Sequence, residues 1–223
     1  MTEVVRIFGC TPHQADQWAR GAKVSVQFCG DSQCQEAQGA SWVIDAGLGP
    51  LQAKRARLRQ LRAVGVKSVL SASTTATIAA QRQWLGDAMH VIGCDPLLML
   101  AQGTRQTVVN ASDEDRAWLG RVWPDRTFIA VQDTVGLVFS REVLPIINEA
   151  VNFLHQGLPP EEIDQAVRLG LNYPRGPFQW AELFGWPAVY WGLAAMHDMF
   201  GPRFRPHPWI RAQVGSSLAP VED

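Results

Sequence analysis

The chain has 223 residues, enough for one large domain or two modest ones, and is 47% apolar and 18% charged, as soluble globular proteins are. A net charge of −1 excludes a general attraction to nucleic acid or to an anionic membrane, and no apolar run approaches the ~20 residues that span a bilayer. Cys10, Cys29, Cys34 and Cys94 form no C-x-x-C pair, and the His residues are scattered without ligand spacing. The sequence therefore reads as a cytoplasmic protein with free buried thiols and no metal site.

In chain order, short Val- and Ile-rich segments predict strands over 4–8, 23–28, 41–46, 67–71, 89–92, 107–110 and 126–131. Helical patterns lie between them at 14–20, 51–63, 75–84 and 113–122. The last opens on Ser112-Asp-Glu-Asp115, a capping-box pattern with acids in its first turn. Strand–helix alternation predicts an α/β Rossmann-like domain with a shortened, largely parallel sheet over residues 1–132.

After Gln132 the strand signals stop. Val143, Ile147, Ala150 and Leu154 recur at helical spacing, and Pro145 must sit in the first turn of that helix or kink it. Pro159-Pro160 opens a second helix closed near Gly170, Gly176-Pro177 a third closed by Gly185, and Pro187 a fourth ending before Gly201. "GPRFRPHPW" reads as extended, so residues 133–223 are expected to form an all-α domain. Two features have plain structural readings. The basic stretch "AKRARLRQLRA" is expected to be a solvated helix face, and the aromatics from Phe178 to Trp209 to be core or subunit interface.

The segment "DTVGLVFSREVLPIINEAVNFLHQGLPPEEIDQAVRLGLNYPRGPFQWAELFGW" closely resembles the C-terminal domain of 3-hydroxyacyl-CoA dehydrogenases, as does "RFRPHPWIRAQV". The resemblance continues upstream through "SWVIDAGLGP", "SVLSASTTATI" and "MHVIGCDPLLMLAQG". It implies an N-terminal NAD-binding Rossmann domain, a helical domain that forms a dimer, and NAD-dependent oxidation of 3-hydroxyacyl-CoA to 3-ketoacyl-CoA in fatty-acid or aromatic catabolism. Larger members carry a second, divergent copy after the catalytic one, so the chain could be the second half of a longer dehydrogenase.

Against that family the cofactor loop is degenerate. In the G-x-G-x-x-G register stand Gly9, Thr11 and Gln14, so only the first glycine survives. Thr11-Pro12-His13-Gln14 is instead a T-x-x-Q capping box with Pro at the first helical position, which closes the helix end that would bind pyrophosphate. The acid expected at the end of the second strand is Phe28, and Asp31 lies too far along to replace it. Between the second and third strands "CGDSQCQEAQGAS" replaces a long helical excursion that helps hold CoA, leaving room for a connection and little else.

The family's catalytic positions fall, in the same register, on His90 (general base), Gln102 in place of Glu, Thr74 in place of Ser and Ser140 in place of Asn. Gln102 cannot neutralise an imidazolium, and Ser140 is too short to reach the substrate oxygen without a water. Of the cofactor contacts after the third strand, Lys54 is retained and an acid that faces the ribose is replaced by Gly49. The expectation is a family member with remnants Gly9 and Lys54, no NAD bound, and a dimerisation or acyl-CoA-binding role. Its dimer would form through residues 133–223, with a second copy or an active relative. The alternative is an active short dehydrogenase using His90.

Overall fold

The computed structural model describes residues 3–215, those at 31–33 and 87 by their backbone alone. The side chain of Asp31 and the last residues of the expected helical domain, 216–223, lie outside the described residues. The chain divides into two compact units, one ending at Phe139 and the other beginning at Ser140.

The first unit holds a seven-stranded sheet: β1 (Val4–Phe8), β2 (Ser25–Phe28), β3 (Trp42–Asp45), β4 (Ser68–Ala72), β5 (His90–Cys94), β6 (Arg105–Val109) and β7 (Thr127–Ala130). Each predicted strand is present. Their order is β2-β1-β3-β4-β5-β6-β7, with every pairing parallel except β5–β6. The helices are α1 (Pro12–Ala19), α2 (Leu51–Ala63), α3 (Ile78–Leu85), α4 (Pro96–Leu100) and α5 (Asp113–Val122). Predicted α2 and α5 match residue for residue, and the α5 start is the capping box expected: Ser112 Oγ accepts from the Asp115 amide while Asp115 accepts from the Ser112 amide.

Three local differences have clear causes. Helix α3 begins at Ile78, not at Thr75, because Thr77 caps it and the Asp133 carboxylate takes the Ile78 and Ala79 amides at 2.9 and 2.7 Å. Helix α4 is set by Asp95, whose side chain accepts from the Leu97 and Leu98 amides, with Pro96 at the first helical position. The short β2–β3 connection does more than connect. It coils into a 3₁₀ segment, Asp31–Ala37, that sends Cys34 and Ala37 into the core with Leu58 and Leu61. None of the four cysteines is in a disulfide; Cys10 is half-buried and the others are buried.

The second unit is helical: α6 (Phe139–His155), α7 (Pro160–Leu171), α8 (Pro177–Phe184), α9 (Trp186–Phe200) and α10 (Pro208–Val214). Because α6 already starts at Phe139, Pro145 lies beyond its first turn and within the helix. The stretch expected to be extended is not: residues Pro202–Phe204 form a 3₁₀ turn, and Pro208 opens α10. His207 caps α10, its Nδ1 accepting from the Trp209 amide at 3.1 Å.

The "GPF" run has a structural logic of its own. Buried Asp164 on α7 accepts from the Phe178 and Gln179 amides at 2.7 and 3.1 Å, capping α8. A Cβ at Gly176 would overlap that aspartate, so only glycine fits there. Phe178, Trp180, Phe184 and Phe204 are core, as expected of the aromatic stretch. No described helix is long and apolar enough to cross a membrane.

Candidate functional site

In an open α/β sheet, ligands bind outside the carboxyl ends of the strands, at the point where the strand order reverses. Here that point lies between β1 and β3, because β2 joins one flank of β1 and β3 the other. The β1–α1 loop at this crevice is closed by its own side chains. The Gln14 amide donates to Thr11 Oγ1 at 3.2 Å, and the Thr11 amide donates to Gln14 Oε1 at 3.1 Å. Pro12 contributes no N–H, so the helix end lacks the open row of donors that binds a pyrophosphate.

The crevice itself is filled from α2. Asp45, the last residue of β3, is fully buried. Its carboxylate accepts from Lys54 Nζ at 2.6 Å and Arg57 Nε at 2.7 Å, and also from Ser71 Oγ and the Gly47 amide. Lys54 is 1% exposed and Arg57 6%. Burial pushes the Asp45 carboxyl up, but the Arg57 and Lys54 charges override it and hold it at about 2. The guanidinium stands between the two loops. A Cβ at Gly9 would lie 2.6 Å from Arg57 Cζ and 2.8 Å from Gly47 Cα, and one at Gly47 would overlap Arg57 Nη2. Gly9 adopts φ +78°, and its lack of a side chain permits this close approach of the two loops.

This corrects two expectations. The basic helix is not simply a solvated face: Lys54, Arg57, Leu58 and Leu61 form its buried stripe, while Arg55, Arg59 and Arg62 are exposed. Lys54 is not a free cofactor contact, since its ammonium is buried against Asp45. The sequence carried a signal for this, because Lys54 and Arg57 share the i, i+3, i+4, i+7 face with two leucines. Asp45 closing an apolar strand names the partner.

The expected pairing of His90 with Gln102 is not formed. His90 is the first residue of β5, at the end of the sheet opposite Gly9 and Asp45; β5 delivers Cys94 and Asp95 to the crevice end. Its Nε2 faces Asp115 Oδ1 at 2.9 Å, not Gln102. Gln102 adopts φ +60° after α4, donates to the carbonyls of Gln17 and Met99, and accepts from Arg126. It ties α1, α4 and the β7 entry together. Thr74 follows β4 and is buried, its Oγ1 without a hydrogen-bond partner. Ser140 is buried in α6, in the other unit. Cys94 is no substitute nucleophile, since burial, and then Asp95, push its thiol far up. Among the described residues no group of three His, Cys, Asp or Glu could hold a metal ion.

Residues 136–218 match the family model of the 3-hydroxyacyl-CoA dehydrogenase C-terminal domain. The chain is 26% identical over 189 residues to the probable 3-hydroxybutyryl-CoA dehydrogenase of Bacillus subtilis, covering 81% of this chain and 66% of that protein. It is 38% identical over 91 residues to the 3-hydroxyadipyl-CoA dehydrogenase of Escherichia coli, 40% of this chain and 19% of that one. The chain thus spans less than two thirds of the length of these curated relatives. In fold it resembles the crystal structure of (S)-3-hydroxybutyryl-CoA dehydrogenase from Ralstonia eutropha, with TM-score 0.67 at 20% identity over 97% of this chain and 94% of that one. The helical unit is thus similar in sequence to the C-terminal domain of 3-hydroxyacyl-CoA dehydrogenases, the similarity to 3-hydroxybutyryl-CoA dehydrogenase relatives extends across most of the chain, and the fold is shared along nearly all of it.

Proposed function

We propose that this chain is a 3-hydroxyacyl-CoA dehydrogenase relative that no longer carries out the family's NAD-dependent hydride transfer and acts as a binding and assembly protein. One observation carries the reading: the Arg57 guanidinium, paired with buried Asp45, occupies the space between Gly9 and Gly47 where a dinucleotide would lie. The residues present do not fit NAD. A pyrophosphate would meet a helix end already capped by Thr11 and Gln14, and its ribose would meet a buried ion network. The position of His90, at the far end of the sheet, argues against the active-dehydrogenase alternative.

What remains to do the work is the helical unit, with association through it to a second copy or to an active relative, and acyl-CoA as the small-molecule ligand class. Exposed Phe153, Leu158, Leu169, Leu171 and Met199 on that unit are consistent with a protein surface that is covered in use.

A calorimetric titration of NADH, alone and then with acetoacetyl-CoA, tests the reading. No heat up to millimolar NADH is expected, with or without the thioester. Micromolar NADH binding would overturn it. Sedimentation equilibrium, alone and with an active family dehydrogenase, tests the assembly role; a chain monomeric in both would remove it.

A further inference from the structure

His90, displaced from the family's catalytic position, stands in a different cavity. This space of about 610 Å³ lies at the opposite end of the sheet and is lined by Arg82, Met89, His90, Asn110, Ser112 and Asp115, among others. The imidazole is held on two sides. Asp115 is 7% exposed, accepts from the Ser112 amide and hydroxyl at 2.9 and 2.8 Å, and turns its other oxygen to His90 Nε2. The Trp42 ring meets the imidazole edge-on at 5.7 Å and is itself stacked on Trp118 at 4.2 Å.

The protonation pattern follows. Burial pushes the Asp115 carboxyl up, but its bonds from Ser112 and His90 hold it below the ordinary value, so it is ionised at neutral pH. A carboxylate accepts only, so in the neutral imidazole the proton lies on Nε2 and Nδ1 is the acceptor. Arg82, on the cavity wall, is exposed and makes no ion pair with any described residue. The cavity therefore offers a cation with no ion-pair partner among the described residues and an acceptor nitrogen, while its lining carboxylate, Asp115, is already committed to Ser112 and His90.

We propose that this cavity binds a small anion that also carries a hydroxyl group, Arg82 taking the charge and His90 Nδ1 accepting the hydroxyl proton. Neither role depends on the nicotinamide crevice, so the site stands whether or not NADH binds there.

The test follows the His90 side-chain ¹⁵N signals while sn-glycerol 3-phosphate, inorganic phosphate and glycerol are titrated into the full chain. The His90 signals should shift saturably with glycerol phosphate, which should bind roughly tenfold tighter than inorganic phosphate, the gain of one oriented hydrogen bond. Arg82→Gln should weaken both anions by at least about tenfold, as loss of a charge-assisted contact does. His90→Gln should abolish the preference for the hydroxylated anion, read by calorimetry. Equal affinity for the two anions, an unaffected R82Q, or shifts that never saturate and that sodium chloride reproduces would each overturn the proposal. Arg82 is exposed, so R82Q decides the matter even if H90Q loosens the start of α5.

Discussion

Replacing Asp45 by Asn removes a charge from a site where two cations have no water to turn to. Asp45 is fully buried, and Lys54 and Arg57 are buried beside it at 2.6 and 2.7 Å. Removing one partner of a buried ion pair costs about 3–5 kcal/mol, because the charge left behind is uncompensated. That is a large part of the ~5–15 kcal/mol stability of a typical domain. The pH dependence has a definite sign. The folded pKa of about 2 lies below the ordinary 3.8, so the carboxylate's stabilisation is fully present above the ordinary value and lost as pH falls toward 2. The shift corresponds to about 2 kcal/mol at 1.36 kcal/mol per unit. Hydrogen-exchange protection of the β1 and β3 amides reads this for the α/β unit separately from the helical one. D45N should lower that protection by the stated amount and flatten its acid dependence. The triple variant D45L, K54M and R57L, which replaces every charge of the network by an apolar side chain, should recover most of the loss. A D45N effect below about 1 kcal/mol, with acid dependence unchanged, would refute the network as the element that closes the crevice.

Thr11→Ala should cost about 1 kcal/mol in urea unfolding through loss of the α1 cap, yet leave NADH titrations silent because Arg57 stays in place. Asp164→Ala strands the Phe178 and Gln179 amides, so the stability of the helical unit in thermal melts should fall by about 1–3 kcal/mol per amide, and D164N should recover part of it. His207 has its pKa lowered, first by burial and then by His155, whose ring lies 4.9 Å away; Glu149 acts weakly in the opposite sense. The folded state thus favours neutral His207, and stability of the helical unit should fall as pH drops below the ordinary histidine value of about 6.5. Thermal melts across that window should show the decline, and His207→Asn, which can still cap α10, should flatten it.

Much of the molecule was legible in the sequence. Strand period, β-branched content and turn residues located all seven strands, and the Thr11 and Ser112 capping boxes formed as their spacing implied. These are local signals, complete within a few residues. The boundaries of α3 and the existence of α4 and α10 were not legible, because distant or short-range caps decide them. Asp133 reaches α3 from 54 and 55 residues away, and Asp95 and His207 cap helices too short to show a period.

The site divides in the same way. The sequence by itself determined that the loop keeps only the first of the three glycines and carries a cap, since that chemistry lies within Gly9–Gln14. Only the tertiary structure decided the fates of Lys54, Arg57 and His90. A lysine or arginine on a helix is solvated unless something buried accepts it, and Asp45 is brought to α2 by the strand that precedes it. A histidine beside a strand serves whichever end of the sheet the strand direction gives it. Motif register assigned His90 to the crevice, but the start of β5 carries it to the opposite end, against Asp115. Side-chain type and spacing are properties of the chain, whereas burial and facing depend on which distant elements the sheet brings together.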